Sequence, residues 1–270
     1  MIWQRTCCNR VVKPYIFAFF LCLLARPALA ATTPLEELIG KANDQVSKFV
    51  EQFSDVKCTE HVTQEKFRSD GKVALKEEST FDYLVILTNA GGEINLDESR
   101  LAVKEQKKDQ KKGVSMLVSN GFATLFLVFH PYYSSGFQFI DLGDDTISGR
   151  KFRKVQFKHL HGMRSPAALA LRGREYPLDL AGVAWIDPET GVIGKIDAGL
   201  ANGMEDIGLK SMRSEVQFAP VPFKDGKDVY WFPAQASIEV ETPRQHWRNS
   251  HNFTDYKRFS VSTEEKVAEK

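Results

Sequence analysis

Four of the six histidines are spaced so that they could bind a metal ion. His159 and His161 are two residues apart in a segment of alternating polarity, which would place both imidazoles on one face of a strand. His246 and His251 come later in the chain and could join them. Zinc sites use such pairs, but no cysteine or carboxylate stands at ligand spacing beside these histidines. We therefore favour structural or exposed histidines and expect no metal site.

Residues that could perform hydrolysis are present without the pattern that hydrolysis requires. A serine hydrolase places its nucleophile in a G-x-S-x-G turn, and Ser134-Ser135-Gly136 lacks the flanking glycine. Asp144 and Asp145 form a carboxylate pair in a turn-like segment, where solvated acids are common. A glycosidase pair across a cleft cannot be recognised from sequence. We expect no catalytic residues and no cofactor, and keep a hydrolase as the least favoured alternative.

The first thirty residues predict export. Residues 1–30 combine a basic start, an apolar run from Tyr15 to Ala25, and the small residues Ala28 and Ala30 before an expected cut at Ala31. The basic residues of the start are Arg5, Arg10 and Lys13. The apolar run is about half the ~20 residues that span a membrane, and a retained anchor is the alternative. We expect a soluble protein released into the periplasm.

Removal of this signal changes the composition of the chain. The signal holds four basic residues and no acidic one, so the 36 Lys and Arg fall to 32 against 35 Asp and Glu, a net charge of −3. This balance gives no reason to expect nucleic acid as a partner. Only Cys58 remains, so no internal disulfide can form. We expect a monomer in which residues 31–261 form a single domain and 262–270 a polar tail.

Residues 33–53 predict an amphipathic helix. Thr33 can cap its start and Pro34 suits its first turn. Apolar residues recur at helical spacing, namely Leu35, Leu38, Ile39, Ala42, Val46, Phe49, Val50 and Phe53. Because only one face is apolar, we expect this helix to pack on a larger apolar surface.

Beyond the helix the pattern becomes that of strands. The predicted strands are Cys58–Phe67, Val73–Thr88, Phe137–Leu142, Phe152–His161, Leu180–Ile186, Val192–Ala198, Met212–Phe218, Tyr230–Glu241 and Asn249–Val261. Many short strands at roughly even spacing predict one antiparallel sheet that curls, in an α+β fold that is mostly β. Arg164–Asp179 looks like an insertion between two strands.

Two further segments remain between the early and the late strands. Ser119–Phe129 is a continuous apolar run that could be buried helix or buried strand; we favour a short helix that ends at His130, because Pro131 disfavours helix there. The preceding segment is rich in lysine, with Lys104, Lys107, Lys108, Lys111 and Lys112. The favoured interpretation is a solvated surface, and the alternative is a transient contact with anionic lipid headgroups on a membrane.

The order of these elements resembles the LolA/LolB-like lipoprotein-carrier fold. The hairpin Ala184–Lys195 contains W-I-D-P-E-T-G, which is similar to a turn common in that family. Trp231–Ala234 resembles the W-x-P entry to a late strand, and Tyr256–Phe259 resembles the Y-x-x-F/Y of the last strand. The resemblance covers most of the mature chain in order.

The resemblance implies an incomplete barrel whose open side is plugged by helices and whose apolar cavity holds acyl chains. A carrier of this kind needs an apolar pocket and a movable lid. The lid would be the midchain segment with Phe122, Leu125, Phe126 and Phe129, and wall candidates are Tyr83, Phe157 and Trp185. The implied partner is a lipid or a lipid-modified protein. The alternative is a non-catalytic periplasmic structural or interaction protein of the same fold with a filled core.

Overall fold

Helix α1 spans Pro34–Phe53 and buries one narrow stripe. Leu38, Ala42 and Val46 recur every four residues and are buried, so they lie on the same face. Glu36 and Glu37 stand in the first turn, where the helix dipole favours negative charge. The structure, a computed structural model, describes residues 33–53, 56–90, 93–103, 122–171, 173–223 and 229–258. None of the described helices is long and apolar enough to cross a membrane.

Strands make up most of the described chain. Their bounds are β1 Val56–Phe67, β2 Val73–Ala90, β3 Glu93–Ala102, β4 Phe137–Ile147, β5 Arg150–His159, β6 Ala168–Leu171, β7 Arg174–Pro177, β8 Leu180–Ile186, β9 Ile193–Leu200, β10 Ser211–Pro222, β11 Val229–Glu241 and β12 His246–Arg258. Two short helices separate β3 from β4: a 3₁₀ helix, Phe122–Phe129, and α2, Pro131–Ser134. A further 3₁₀ turn, Glu205–Ile207, precedes β10.

Ten of these strands form one antiparallel sheet in the order β3-β2-β1-β12-β11-β10-β9-β8-β5-β4. Most neighbours are hairpins, and the chain closes on itself where β12 pairs with β1. The two edge strands, β3 and β4, do not pair with each other, so the curled sheet stays an open half-barrel. Helix α1 and the 3₁₀ helix cover its concave face, and together they build one apolar core. This is the curved, helix-covered antiparallel sheet that the sequence predicted.

Three features differ from the sequence predictions. Strand β3 was not expected, because the apolar alternation of Ile94 and Leu96 is not continued at Glu98 and Arg100. The midchain segment is the short helix that was favoured, but it begins at Phe122 and is of the 3₁₀ type. The apparent insertion Arg164–Asp179 contains a small separate hairpin of β6 and β7.

The turn between β8 and β9 docks against α1. Asp187 Oδ1 accepts hydrogen bonds from the backbone N–H groups of Glu189 (3.0 Å) and Thr190 (2.9 Å), an Asx-turn that shapes the loop. Gly191 has φ +75°, and a Cβ atom built there would lie 2.5 Å from the carbonyl carbon of Lys41 in α1. Glycine is therefore required at this close approach of loop and helix.

Candidate functional site

The 3₁₀ helix Phe122–Phe129 plugs the concave face of the half-barrel. All its residues except Thr124 are apolar, and Leu125 to Phe129 are fully or almost fully buried between α1 and the sheet. Runs of 3₁₀ helix longer than about four residues are uncommon because their hydrogen-bond geometry is poor. This eight-residue segment is therefore held in place mainly by the burial of its side chains.

Phe126 is the contact between this plug, α1 and the sheet. Its ring meets Phe49 of α1 edge-on, with centroids 4.4 Å apart, and lies 6.3 Å from the ring of Phe218 in β10. Phe49 in turn reaches Phe232 of β11 at 5.4 Å. Edge-to-face aromatic pairs at these distances are favourable beyond their buried area.

A small cavity of about 90 Å³ lies beside these rings. Its walls come from α1, the 3₁₀ helix, the end of the β8–β9 turn, and strands β9, β10 and β11. They are mostly apolar and include Val46, Phe49, Phe126, Phe218, Tyr230 and Trp231. Ligand pockets usually measure about 300–1,000 Å³. In this conformation the space is therefore too small for an acyl chain, and a larger one requires the plug to move.

A polar contact joins the C-terminal end of the plug to α1. With the amide nitrogen of Asn43 facing the two nearby carbonyls, it donates to Phe129 O (2.6 Å) and to Ile39 O of its own helix (3.2 Å). Asn43 is half-buried, one turn before the cavity-lining Val46. We call the bond between Asn43 and Phe129 the latch.

Three of the predicted ligand residues lie deeper than the cavity. Phe129 packs edge-on against Phe157, with centroids 6.0 Å apart, and Phe157 packs against Phe137 at 6.0 Å. Leu125 is buried in the same core. The sequence suggested Phe157 as a wall of the cavity. Because Phe129 covers it, Phe157 instead belongs to the filled interior.

Trp185 does not line the cavity either. Its neighbours Ala184 and Ile186 are buried under the helices, so alternation along β8 turns Trp185 to the outer face. There its indole N–H donates to Asp145 Oδ2 (2.9 Å), and the ammonium groups of Lys154 and Lys195 lie 5.7 Å and 5.1 Å from its ring. The long lysine stems shield the ring from water, which allows a tryptophan to face outward.

Tyr83, the third wall candidate, belongs to a buried charged cluster that the sequence did not reveal. Glu60 of β1 is fully buried, and it accepts from Arg100 Nε (2.6 Å) and from His251 Nδ1 (2.8 Å). Arg100 also reaches Glu98 at 3.0 Å and stacks on the ring of Tyr83 at 4.9 Å. The cluster joins β1, β2, β3 and β12, and so ties the edge strand to the sheet.

The electrostatics of this region follow from burial and pairing. Burial alone would raise the pKa of Glu60, but the hydrogen bonds from His251 and Arg100 outweigh it and hold that pKa below its ordinary value. Burial raises the pKa of the Cys58 thiol to about 12. Burial likewise raises the pKa of Tyr83. The Glu60 carboxylate is therefore ionised, whereas Cys58 stays a neutral, unreactive thiol.

The four histidines considered as metal ligands separate into three places. His159 and His161 each reach one oxygen of Asp179, at 2.8 Å and 2.7 Å. His246 pairs with Glu239 on the sheet surface, and His251 with Glu60 in the charged cluster. Within the described ranges, no group of three or more potential ligand side chains is placed to hold a metal ion.

Several predicted features fall outside the part of the chain that the structure describes. These are the signal segment, the side chain of Phe122, and the lysines Lys104, Lys107, Lys108, Lys111 and Lys112. The signal, the lysine surface and the contribution of Phe122 to the lid stay predictions.

The architecture defines an open antiparallel half-barrel with helices over its concave face, which is the arrangement that the LolA-like resemblance implied. No family model and no curated protein matches the chain. Among solved structures, a DUF1329 family protein from Desulfovibrio piger matches with 13% identity over 88% of this chain and 98% of that one, at a TM-score of 0.44. A LolA superfamily protein from Nitrosomonas europaea matches with 8% identity over 84% and 94%, at 0.37. With TM-scores below 0.5, these likenesses do not identify a function.

Proposed function

We propose that this protein binds the apolar chain of a lipid or a lipid-modified protein, and that the described conformation is its closed state. The observation that carries the proposal is the plug itself. A concave apolar sheet face is covered by a 3₁₀ helix, Phe122–Phe129, whose Phe126 lines the cavity beside it. An acyl chain would take the place of these side chains and keep the concave face dry.

Two properties of the closed state suit a lid: the 3₁₀ helix can move at low cost, and a ligand can replace the contacts that hold it. Hydrogen bonds in 3₁₀ helices have poorer geometry than those in α-helices, so rearranging this segment costs little backbone energy. What holds it is apolar contact, which a bound acyl chain can replace, together with the latch from Asn43. A ligand that replaces the lost apolar contacts offsets most of the free energy of opening, because burial of apolar surface contributes about 25 cal/mol per Å².

Because the sequence predicts an export signal, the proposed site of action is the periplasm. There a lipid must cross water between membranes, and a carrier has to receive and release it at membrane surfaces. The lysine-rich run from Lys104 to Lys112 would then meet anionic headgroups during transfer. A carrier role adds no catalytic chemistry, in line with the expectation of a protein that is not an enzyme.

A structural or interaction protein with a filled core is the second candidate. The observation that favours it is the cavity volume of about 90 Å³, roughly a third of the lower bound for ligand pockets. The two candidates differ in whether the unaltered protein admits an apolar ligand.

The test is a titration of the purified protein with the neutral fluorescent probe N-phenyl-1-naphthylamine, together with mass spectrometry of copurified lipids. We expect saturable probe binding, displaced by a long-chain lipid. Phe126→Leu should strengthen binding severalfold, because less side chain must leave the site. Phe157→Leu is the matched control, since Phe157 is equally buried in the same core but does not line the cavity. Absence of probe binding and of copurified lipid would favour the filled core.

A further inference from the structure

The cavity opens toward solvent at the start of β11. Val229 there is 55% exposed, and the neighbouring Tyr230 and Trp231 are half-buried while lining the cavity. We call these three residues the mouth. An apolar chain inside the cavity would leave its polar end at this place, because the mouth is where the apolar walls meet water.

Each aromatic ring of the mouth carries an arginine. The guanidinium carbon of Arg258 lies 4.6 Å from the centre of the Tyr230 ring and 5.0 Å from that of Phe223. The guanidinium carbon of Arg150 lies 4.8 Å from the centre of the Trp231 ring. All three distances are typical of cation–π contacts.

The two arginines differ in how their charge is used. Arg150 donates from Nε to Asp187 Oδ2 at 3.0 Å, so its charge is already paired. Arg258 makes no hydrogen bond or ion pair with a carboxylate within the described ranges, and its contacts are the two aromatic rings. Ring stacking occupies the faces of a guanidinium and leaves the N–H groups at its edge free to bind an anion.

We propose that Arg258 binds the anionic headgroup of an amphiphile whose apolar chain occupies the cavity. This inference rests on the proposed function and narrows its ligand to a molecule with a carboxylate or phosphate at one end. The geometry suits it, because a single ring, Tyr230, separates the guanidinium from the cavity. The fork of N–H donors matches the two oxygens of either group.

The test measures displacement of N-phenyl-1-naphthylamine from the full-length protein by three ligands with similar chains: palmitate, a monoacyl lysophosphatidate and the neutral hexadecanol. We expect both anions to displace the probe more strongly than hexadecanol. Arg258→Gln should weaken displacement by both anions about tenfold and leave displacement by hexadecanol unchanged. Arg258→Lys should retain part of the preference, because it keeps the charge but loses the fork. The stronger of the two anions identifies carboxylate or phosphate as the preferred head.

Arg213→Gln is the control for general charge effects. Arg213 is also an exposed arginine, but it pairs with Asp197 in the ladder between β9 and β10, away from the mouth. It should leave all three displacement constants unchanged. Equal displacement by anions and hexadecanol, with no selective effect of Arg258→Gln, would overturn the assignment of Arg258 while leaving apolar binding intact. Failure of all three ligands to displace the probe would overturn the proposed function itself.

Discussion

Replacing Asn43 with alanine removes the latch while leaving the apolar contacts of the plug in place. The lost bond is the one from the Asn43 amide to Phe129 O, 2.6 Å in the closed state. A protein hydrogen bond of this kind contributes about 0.5–1.5 kcal/mol net. If only the open state binds ligand and it is the minor state, the apparent affinity rises by the same factor by which opening becomes easier. That factor is about two- to tenfold at 25 °C.

The effect on unfolding is expected to be much smaller than the effect on binding. Alanine is a better helix former than asparagine by up to about 0.7 kcal/mol, and this gain offsets part of the lost hydrogen bond in the folded protein. The gain is the same in the open and closed states, because α1 is helical in both, so it does not change the lid equilibrium. Tighter binding with nearly unchanged stability would therefore be the signature of a latch.

The assay is a probe titration of the wild type and Asn43→Ala, with urea unfolding of both. Ser47→Ala is the matched control: Ser47 lies one turn further along α1, and its hydroxyl donates to Asn43 O at 2.9 Å within the same helix. It should leave affinity unchanged. Unchanged or weaker binding by Asn43→Ala, in a variant that is still folded, would refute the latch and with it the movement of the 3₁₀ helix away from α1.

Two other predictions concern stability. The depressed pKa of Glu60 means that its contribution to stability is complete above the ordinary pKa of 4.5 and is lost as the pH falls below that value. Glu60→Gln should therefore cost about 3 kcal/mol at pH 7 and flatten the acid side of a thermal-unfolding profile. An unchanged profile would contradict the buried charged cluster. Gly191→Ala should lower the free energy of unfolding in urea by about 2–4 kcal/mol, because the alanine would be left-handed and its Cβ would press on Lys41. Gly40→Ala is the control: the space around it is open, so alanine should stabilise α1 by about 0.8–1 kcal/mol. Equal effects of the two variants would contradict the docking of the turn on α1.

Hydrophobic periodicity predicted the elements whose burial follows from apolar side chains. Helix α1 and the hairpin of β8 and β9 fall within a few residues of their predicted bounds. Strand β3 could not be found this way, because the side chains of Glu98 and Arg100 interrupt its apolar pattern and are drawn inward by their pairing with each other and with Glu60. A pairing that spans 40 residues leaves no local signal.

The candidate site shows the same division between local and non-local information. The sequence could select Phe126 and Phe129 as one apolar segment, but their different neighbours, the cavity for one and the Phe157 core for the other, depend on how the sheet curls. Trp185 was placed on the wrong face because large apolar residues occur on both faces of β8. The lysine stems that permit an outward tryptophan come from β5 and β9, which only the register brings together.

The contacts around the cavity indicate which wall moves. Helix α1 is fixed from outside as well as from below: Lys41 Nζ donates to Pro188 O at 3.3 Å, and the turn at Gly191 lies against the helix backbone. The end of the 3₁₀ helix is held by the packing of Phe129 against Phe139 and Phe157 and by the latch to α1. Phe126, by contrast, meets the half-exposed Phe49 and the cavity itself. Opening should therefore break the latch and move the 3₁₀ helix away from α1, beginning at Phe126, while α1 stays in place.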